Sequence, residues 1–241
     1  MLGLSILASH VFRVLVVFIN KKTKHNYTIS VDYQGCKILI RPFMFSEILL
    51  VSGLWEPYVR STLEEATKDD VIVEVGANIG IYAVPLAKKV HKVIAFEPHP
   101  KTAEILERTI KLNSLNNLVL VKKPVADSKR NVLFGLAASP MDSGINASKK
   151  IETVIKIEGI DLDAALIGEN RVDWLLIDVE GFEVDVLKGA SNILQKYHPK
   201  IIIEIASYNL KSVNMTLTAE GYLLKSLFRN YYFAFKNKDS D

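Results

Sequence analysis

From residue 71 onward the chain alternates short, almost wholly apolar runs with longer stretches in which apolar residues recur every three or four positions. The runs at 71–75, 92–96, 118–121, 132–134, 174–177 and 201–205 predict strands, as do 223–227 and 231–235 near the end. The stretches at about 80–89, 101–113, 161–167 and 184–196 predict helices. Strands without a polar face need cover on both sides. The pattern therefore predicts an α/β domain with a largely parallel sheet between helix layers. The last two runs flank Arg229-Asn230 closely enough to be an antiparallel pair.

Before residue 71 the periodicity differs. Residues 27–33 and 36–41 alternate polar and apolar around Gln34-Gly35, which reads as a β-hairpin. Residues 45–67 read as helical. Residues 2–19 are mostly apolar but are broken by Ser5, Ser9, His10 and Arg13. A central Arg and His are costly in a bilayer, and a signal peptide carries its charge before the apolar run. Here Lys21, Lys22 and Lys24 follow it. The segment is expected to be an amphipathic helix that packs on the domain or a partner, with peripheral membrane contact as the alternative. The charged Lys68-Asp69-Asp70 marks the expected boundary: 1–68 as an N-terminal cap of helix, hairpin and helical segment, 69–241 as the main domain.

Composition changes this picture little. The 241 residues are 49% hydrophobic and 24% charged, with a net charge of +3, too small a basic excess to argue for nucleic acid. Cys36 is the single cysteine, so no internal disulfide exists, in keeping with a cytoplasmic location.

The candidate chemistry begins at the first core strand. Val71 to Val75 runs into Gly76-Ala77-Asn78-Ile79-Gly80 and then a helix. Glycines there let the backbone approach a ligand, and the helix start offers free N–H groups. The spacing E-x-G-x-N-x-G lacks the third glycine of a dinucleotide site, which argues against a nicotinamide oxidoreductase. It has instead an acid, Glu74, suited to the ammonium of an amino-acid ligand. The second strand ends in Glu97-Pro98, 21 residues after Gly76. An acid about 20 residues on is where a ribose is held.

With these residues in place, EVGANIG, FEPHP, LNSLN and VDWLLIDVEGFEVDVLKGA resemble the FkbM family of methyltransferases over about residues 50–235. The resemblance implies a class I, Rossmann-like fold: a mostly parallel seven-stranded sheet with an antiparallel C-terminal strand. It also implies S-adenosylmethionine as cofactor and O-methylation of a sugar or small metabolite. Gly76, Asn78 and Gly80 match the cofactor loop, Glu97 the ribose acid, and Asp178, Glu180 and Gly181 the signature after the fourth core strand. Asn113, Asn116 and Asp161 match positions read as structural caps. The chain departs from the family at Glu74, where aspartate is common, at Leu176, where lysine is common, and at Pro124, where a small residue is usual.

The cofactor set expected is Glu56, Glu74, Gly76, Ala77, Asn78, Gly80, Ile81, Glu97, Pro98 and Asp178. Methyl transfer needs an acceptor held behind the methyl group, and a base when the acceptor is a hydroxyl. The site should lie at the carboxyl ends of the strands. Asp178 is the leading candidate there. Glu180, two residues on, shares its side if strand geometry continues. Glu204, a charge inside the apolar run 201–205, is the third. Glu56 could close over the cofactor from the cap. No metal is expected, because the five histidines show no ligand spacing, although Asp178, Glu180 and Glu204 could gather Mg²⁺. His99 is expected to start a helix. The acceptor pocket is expected from the cap and the loop at 139–149. The alternatives are an RNA methyltransferase and a non-catalytic cofactor-binding protein. The expected partner is a small-molecule or sugar acceptor, with nucleic acid disfavoured because no Asn-Pro-Pro-aromatic motif follows the fourth strand.

Overall fold

The computed structural model describes residues 27–137, 143–145 and 151–236. The expected N-terminal helix at 1–19, the basic stretch at 21–24 and most of the loop at 139–149 lie outside the described residues. Strands β1 (Ile29–Tyr33) and β2 (Cys36–Ile40) form the expected antiparallel hairpin. Its two-residue turn has Gln34 and Gly35 both at positive φ, as a tight hairpin turn demands. The stretch at 45–67 is not one helix. It splits into α1 (Phe45–Leu50) and α2 (Pro57–Leu63). Gly53 and Glu56 between them are both left-handed, and Pro57 cannot continue a helix from upstream.

The main sheet takes β3 (Val71–Val75), β4 (Lys92–Phe96) and β5 (Leu118–Val121) on one side. Between them lie α3 (Ala83–Ala87) and α4 (Pro100–Leu112). The chain then leaves the sheet. Strands β6 (Asn131–Ala137) and β7 (Ile151–Glu158) form a separate two-stranded antiparallel sheet, followed by α5 (Leu162–Ala165). The run at 132–134 therefore does not join the parallel sheet. The period-two alternation of Ile151, Ile155 and Ile157 with polar neighbours carries a strand that the apolar-run criterion passes over.

The chain returns through β8 (Trp174–Ile177), α6 (Glu183–Lys188), α7 (Ser191–Tyr197) and β9 (Lys200–Glu204). It ends with α8 (Leu210–Ala219), β10 (Tyr222–Phe228) and β11 (Tyr231–Lys236). The seven strands lie in the order β10-β11-β9-β8-β3-β4-β5. Strand β11 is antiparallel to both neighbours, so it alone runs against the others. This is the expected class I, Rossmann-like sheet. The helix expected over 184–196 is two helices broken at Gly189-Ala190. A Cβ at Gly189 would stand 2.1 Å from the Ala126 carbonyl oxygen, so the chain passes there without a side chain. Asp163 instead accepts from the N–H groups of Asn192 and Ile193 and caps α7 from outside it.

The hairpin docks on α4. Asn113, which ends α4, accepts from the Lys37 N–H at 2.9 Å and donates to the Lys37 carbonyl at 2.6 Å, and Thr109 accepts from the Leu39 N–H. Hairpin residues such as Ile38 and Ile40 share one buried apolar cluster with Ile72 and Val93 of the sheet. Among the described residues no helix is long and apolar enough to cross a membrane.

Candidate active site

The β3–α3 loop is held by its neighbours before any ligand is considered. The Phe96 carbonyl, at the end of β4, accepts from the N–H groups of Gly76 and Ala77 at 2.9 and 3.0 Å. Gly76 has φ +92°, and a Cβ on it would lie 1.8 Å from the Asp178 carbonyl oxygen. Glycine is thus required by the close approach of the β8 loop as well as by the turn. Gly80 faces the protein: a Cβ there would meet Leu106 Cδ1 at 2.5 Å. Its part is loop-on-helix packing, and it lines neither of the clefts described next.

Glu97 follows β4 and is 5% exposed. Its Oε2 accepts from the Asn78 N–H and its Oε1 from the His99 N–H, both at 2.7 Å. These bonds fix the carboxylate plane while leaving lone pairs for further donors. Burial pushes its pKa up to about 7 against those N–H groups and nearby Arg41. His99 caps α4 as expected, its Nδ1 facing the Thr102 N–H at 3.3 Å. Burial, with Arg41, brings its pKa down to about 4. Arg41 is ion-paired with buried Glu47.

Glu97, Pro98, Pro124, Phe134, Ile145 and Phe182 help line a solvent-open cleft of about 720 Å³. Phe96, Phe134 and Phe182 give it aromatic walls, and Glu97, Lys123, Asp178 and Glu180 are the charged groups that line it. A second cleft, of about 510 Å³, shares Val75, Gly76, Asn78 and Asp178 with the first. It adds Glu56, Glu74, Ala77, Ile81, Tyr82 and Tyr231. Leu176 lies in its floor, so no lysine stands there. The two clefts meet at the Gly76 turn.

Acids crowd the second cleft. Glu74, 4% exposed, accepts from the Ala83 N–H, yet its Oε2 has no hydrogen-bond partner. Burial pushes its pKa up to about 8. The Asn78 Oδ1, at a residue with φ +51°, is likewise buried and unpartnered. Unmet acceptors of this kind fit a ligand that brings N–H donors. Glu56 does not cap α2 with its side chain. It accepts from the Tyr82 hydroxyl at 2.5 Å, and burial raises its pKa. Asp178 accepts from the Tyr231 hydroxyl at 3.1 Å. Burial, then Glu204, Glu56 and Glu180, holds its pKa well above the usual carboxylate range.

Asp178, Glu180 and Glu204 each place a carboxylate oxygen within 4.8 Å of the others. The reason differs from strand alternation. Strand β8 ends at Ile177, and Glu180 and Gly181 both have positive φ, at +49° and +99°. A turn brings Glu180 back, and the adjacency of β8 and β9 brings Glu204. Glu183 and Asn209 hold this turn: Glu183 accepts from the Gly181 N–H, and Asn209 donates to the Gly181 carbonyl. The tyrosines Tyr82 and Tyr231 were not singled out from the sequence. Their only signal is their position just after the glycine loop and just after the Arg229-Asn230 turn. Asp161 caps α5, accepting from the Ala164 N–H at 2.8 Å. The residue that ties down the segment after α4 is Asn117, donating to the carbonyls of Ala87 and Val90, where Asn116 had been expected.

Comparison with known proteins adds four findings. The methyltransferase FkbM domain model matches residues 74–224. The chain is 31% identical over 169 residues to the hexuronic acid methyltransferase AglP of Haloferax volcanii, covering 66% of each chain. It is 25% identical over 168 residues to the methyltransferase sdnD of Sordaria araneosa, covering 55% of this chain and 65% of that one. The chain thus spans just under two thirds of these curated relatives. A crystal structure of a methyltransferase FkbM from Methylobacillus flagellatus superposes with a TM-score of 0.54 at 20% identity, over 76% of this chain and 47% of that one.

Proposed function

The chain belongs to the FkbM family of methyltransferases, and we propose that it transfers the methyl group of S-adenosylmethionine to a hydroxyl oxygen of a sugar or small metabolite. The observation that carries this reading is the pair of clefts meeting at Gly76, one with Phe134, Ile145 and Phe182 beside Glu97, the other with the unmet acceptors of Glu74 and Asn78. In this reading Glu97 accepts the ribose hydroxyls, and Phe134, Ile145 and Phe182 sandwich the flat base. The free Oε2 of Glu74 and the free Oδ1 of Asn78 receive the ammonium of the amino-acid end. Glu56 lies on the same wall. Bound S-adenosylmethionine supplies a methyl carbon already activated by its sulfonium.

The chain's own residues then position the acceptor and take its proton. Asp178, with its raised proton affinity, accepts the hydroxyl proton. The Tyr231 hydroxyl holds Asp178 Oδ2 and so fixes the carboxyl group. Glu180 and Glu204 accept hydrogen bonds from neighbouring hydroxyls of the acceptor. The hairpin and the two helices before residue 69 act as the cap over this end of the sheet. A sugar acceptor is supported by the named activity of the Haloferax relative. The test is a labelled-methyl transfer assay on a panel of glycosides and uronosides, with calorimetry of S-adenosylhomocysteine and NADH. Labelled sugar and heat from S-adenosylhomocysteine alone are expected. No heat from S-adenosylhomocysteine would overturn the reading.

A further inference from the structure

An aromatic pair stands beside the acid cluster. Tyr58, in the first turn of α2, and Phe228, at the end of β10, stack with ring centroids 5.0 Å apart and an interplanar angle of 24°. Both rings are large and exposed, at 52% and 43%. Neither is needed to close the core. Their neighbours tie them to the site on both sides. Glu56, two residues before Tyr58, lines the acid-rich cleft and accepts from Tyr82. Asn230, two residues after Phe228, donates to Glu204, and Tyr231 donates to Asp178. The stack is therefore joined at both ends, within two or three residues of chain, to side chains of the acid cluster.

Arg229 adds a cation to this pair. Its backbone is left-handed, with φ +50°, and its guanidinium lies over the Phe228 ring, 5.1 Å from the centroid. It has no ion-pair partner among the described residues. Stacking of this kind fixes a guanidinium in place while leaving its N–H fork open. An anionic group on the acceptor would find its cation at Arg229 and not among the acids Glu56, Asp178, Glu180 and Glu204.

We propose that Tyr58, Phe228 and Arg229 form an acceptor subsite for a pyranoside bearing an anionic group. The exposed ring surface takes the apolar face of the sugar, and Arg229 binds the anionic substituent in bidentate fashion. This deepens the reading above and rests on it.

The test is binding, independent of turnover. Saturation-transfer NMR would titrate methyl β-glucuronoside, methyl β-glucoside and glucose 1-phosphate into protein loaded with S-adenosylhomocysteine. The glucuronoside is expected to bind tighter than the glucoside. Arg229→Gln should weaken it roughly tenfold, the loss of one charge-assisted pair, while leaving the glucoside unchanged. Arg229→Lys should restore part of the loss. Phe228→Ala should weaken both sugars. A preference for glucose 1-phosphate that Arg229→Gln removes would support the subsite and assign its anion as phosphate. Equal glucuronoside affinity for wild type and Arg229→Gln, or no sugar binding at all, would overturn the subsite. Heat from S-adenosylhomocysteine is read on the same samples, so loss of the subsite and loss of the methyltransferase reading are separate results.

Discussion

The hydroxyl of Tyr231 donates to Asp178 Oδ2 at 3.1 Å, which joins the antiparallel strand β11 to the acid that follows β8. The bond spans 53 residues of sequence, and strand β9 lies between the two. A donated hydrogen bond favours the ionised carboxylate, whereas burial and the facing acids disfavour it.

Removing that donor should shift the balance toward the protonated acid. Tyr231→Phe is expected to move the acidic limb of the pH–rate profile to higher pH and to lower kcat by roughly tenfold at neutral pH, about the value of one such bond. Asp178→Asn is expected to lower kcat further while S-adenosylhomocysteine affinity stays within a few-fold. Steady-state kinetics across pH 5 to 9, with calorimetry on the same variants, checks both. Unaltered kcat in Asp178→Asn would make the acid structural.

Glu97 carries the ribose contact in the proposed site. Glu97→Ala should weaken S-adenosylhomocysteine by ~1–3 kcal/mol, the range for charge-assisted bonds. It also leaves the Asn78 and His99 N–H groups without their acceptor, so some loss of stability should accompany it. Calorimetric affinity together with a urea midpoint separates the two effects. Unchanged affinity would remove Glu97 from the site.

Gly76 is required twice over. Gly76→Ala would place a methyl group 1.8 Å from the Asp178 carbonyl oxygen at a φ of +92°. Backbone strain alone costs about 1–3 kcal/mol, and the clash adds to it. Urea denaturation should show a loss above ~2 kcal/mol, together with loss of S-adenosylhomocysteine binding. Gly168→Ala, where a Cβ would meet nothing within 4 Å, serves as the control.

Stability of the ligand-free protein should fall as pH rises. Glu74 and Glu97 have folded-state pKa values near 8 and 7 against an ordinary 4.5, and Glu56 and Asp178 are raised too. A raised acid holds its proton in the folded state after the unfolded chain has lost it. The stability present below about pH 4.5 is therefore lost progressively up to about pH 8. Thermal midpoints should decline over this window, and Glu74→Gln should flatten part of the decline. In the proposed site the ammonium of S-adenosylhomocysteine pairs with these acids, so it should raise the midpoint more at pH 8 than at pH 6. A midpoint that rises across the window would refute the assignment.

Local pattern was enough for the scaffold of the site. The apolar run at 71–75, the glycines after it and the acid closing the next strand lie within thirty residues of one another, and each is set by short-range rules. A fully buried strand must be apolar, a tight turn against another loop needs Gly76, and a strand end before Pro98 presents its last side chain to the crevice. The same rules gave the hairpin at Gln34-Gly35 and the caps at His99 and Asp161. They failed where a break depends on a distant neighbour. Gly189 splits a helix because Ala126 passes beside it, and 132–134 leaves the sheet because its partner is β7.

The parallel core, the glycine turn and the place of Glu97 at a strand end are legible in the residue order, because strand and turn chemistry act between near neighbours. That Glu56, Asp178, Glu180 and Glu204 gather with Tyr82 and Tyr231 is visible only in the folded chain. These residues come from five separate parts of the chain, and their meeting follows from the order in which the strands were laid side by side. Spacing along the chain encodes what each residue is suited to do. Which residues face one another is set by strand order and by the packing of the cap, and no local period carries that.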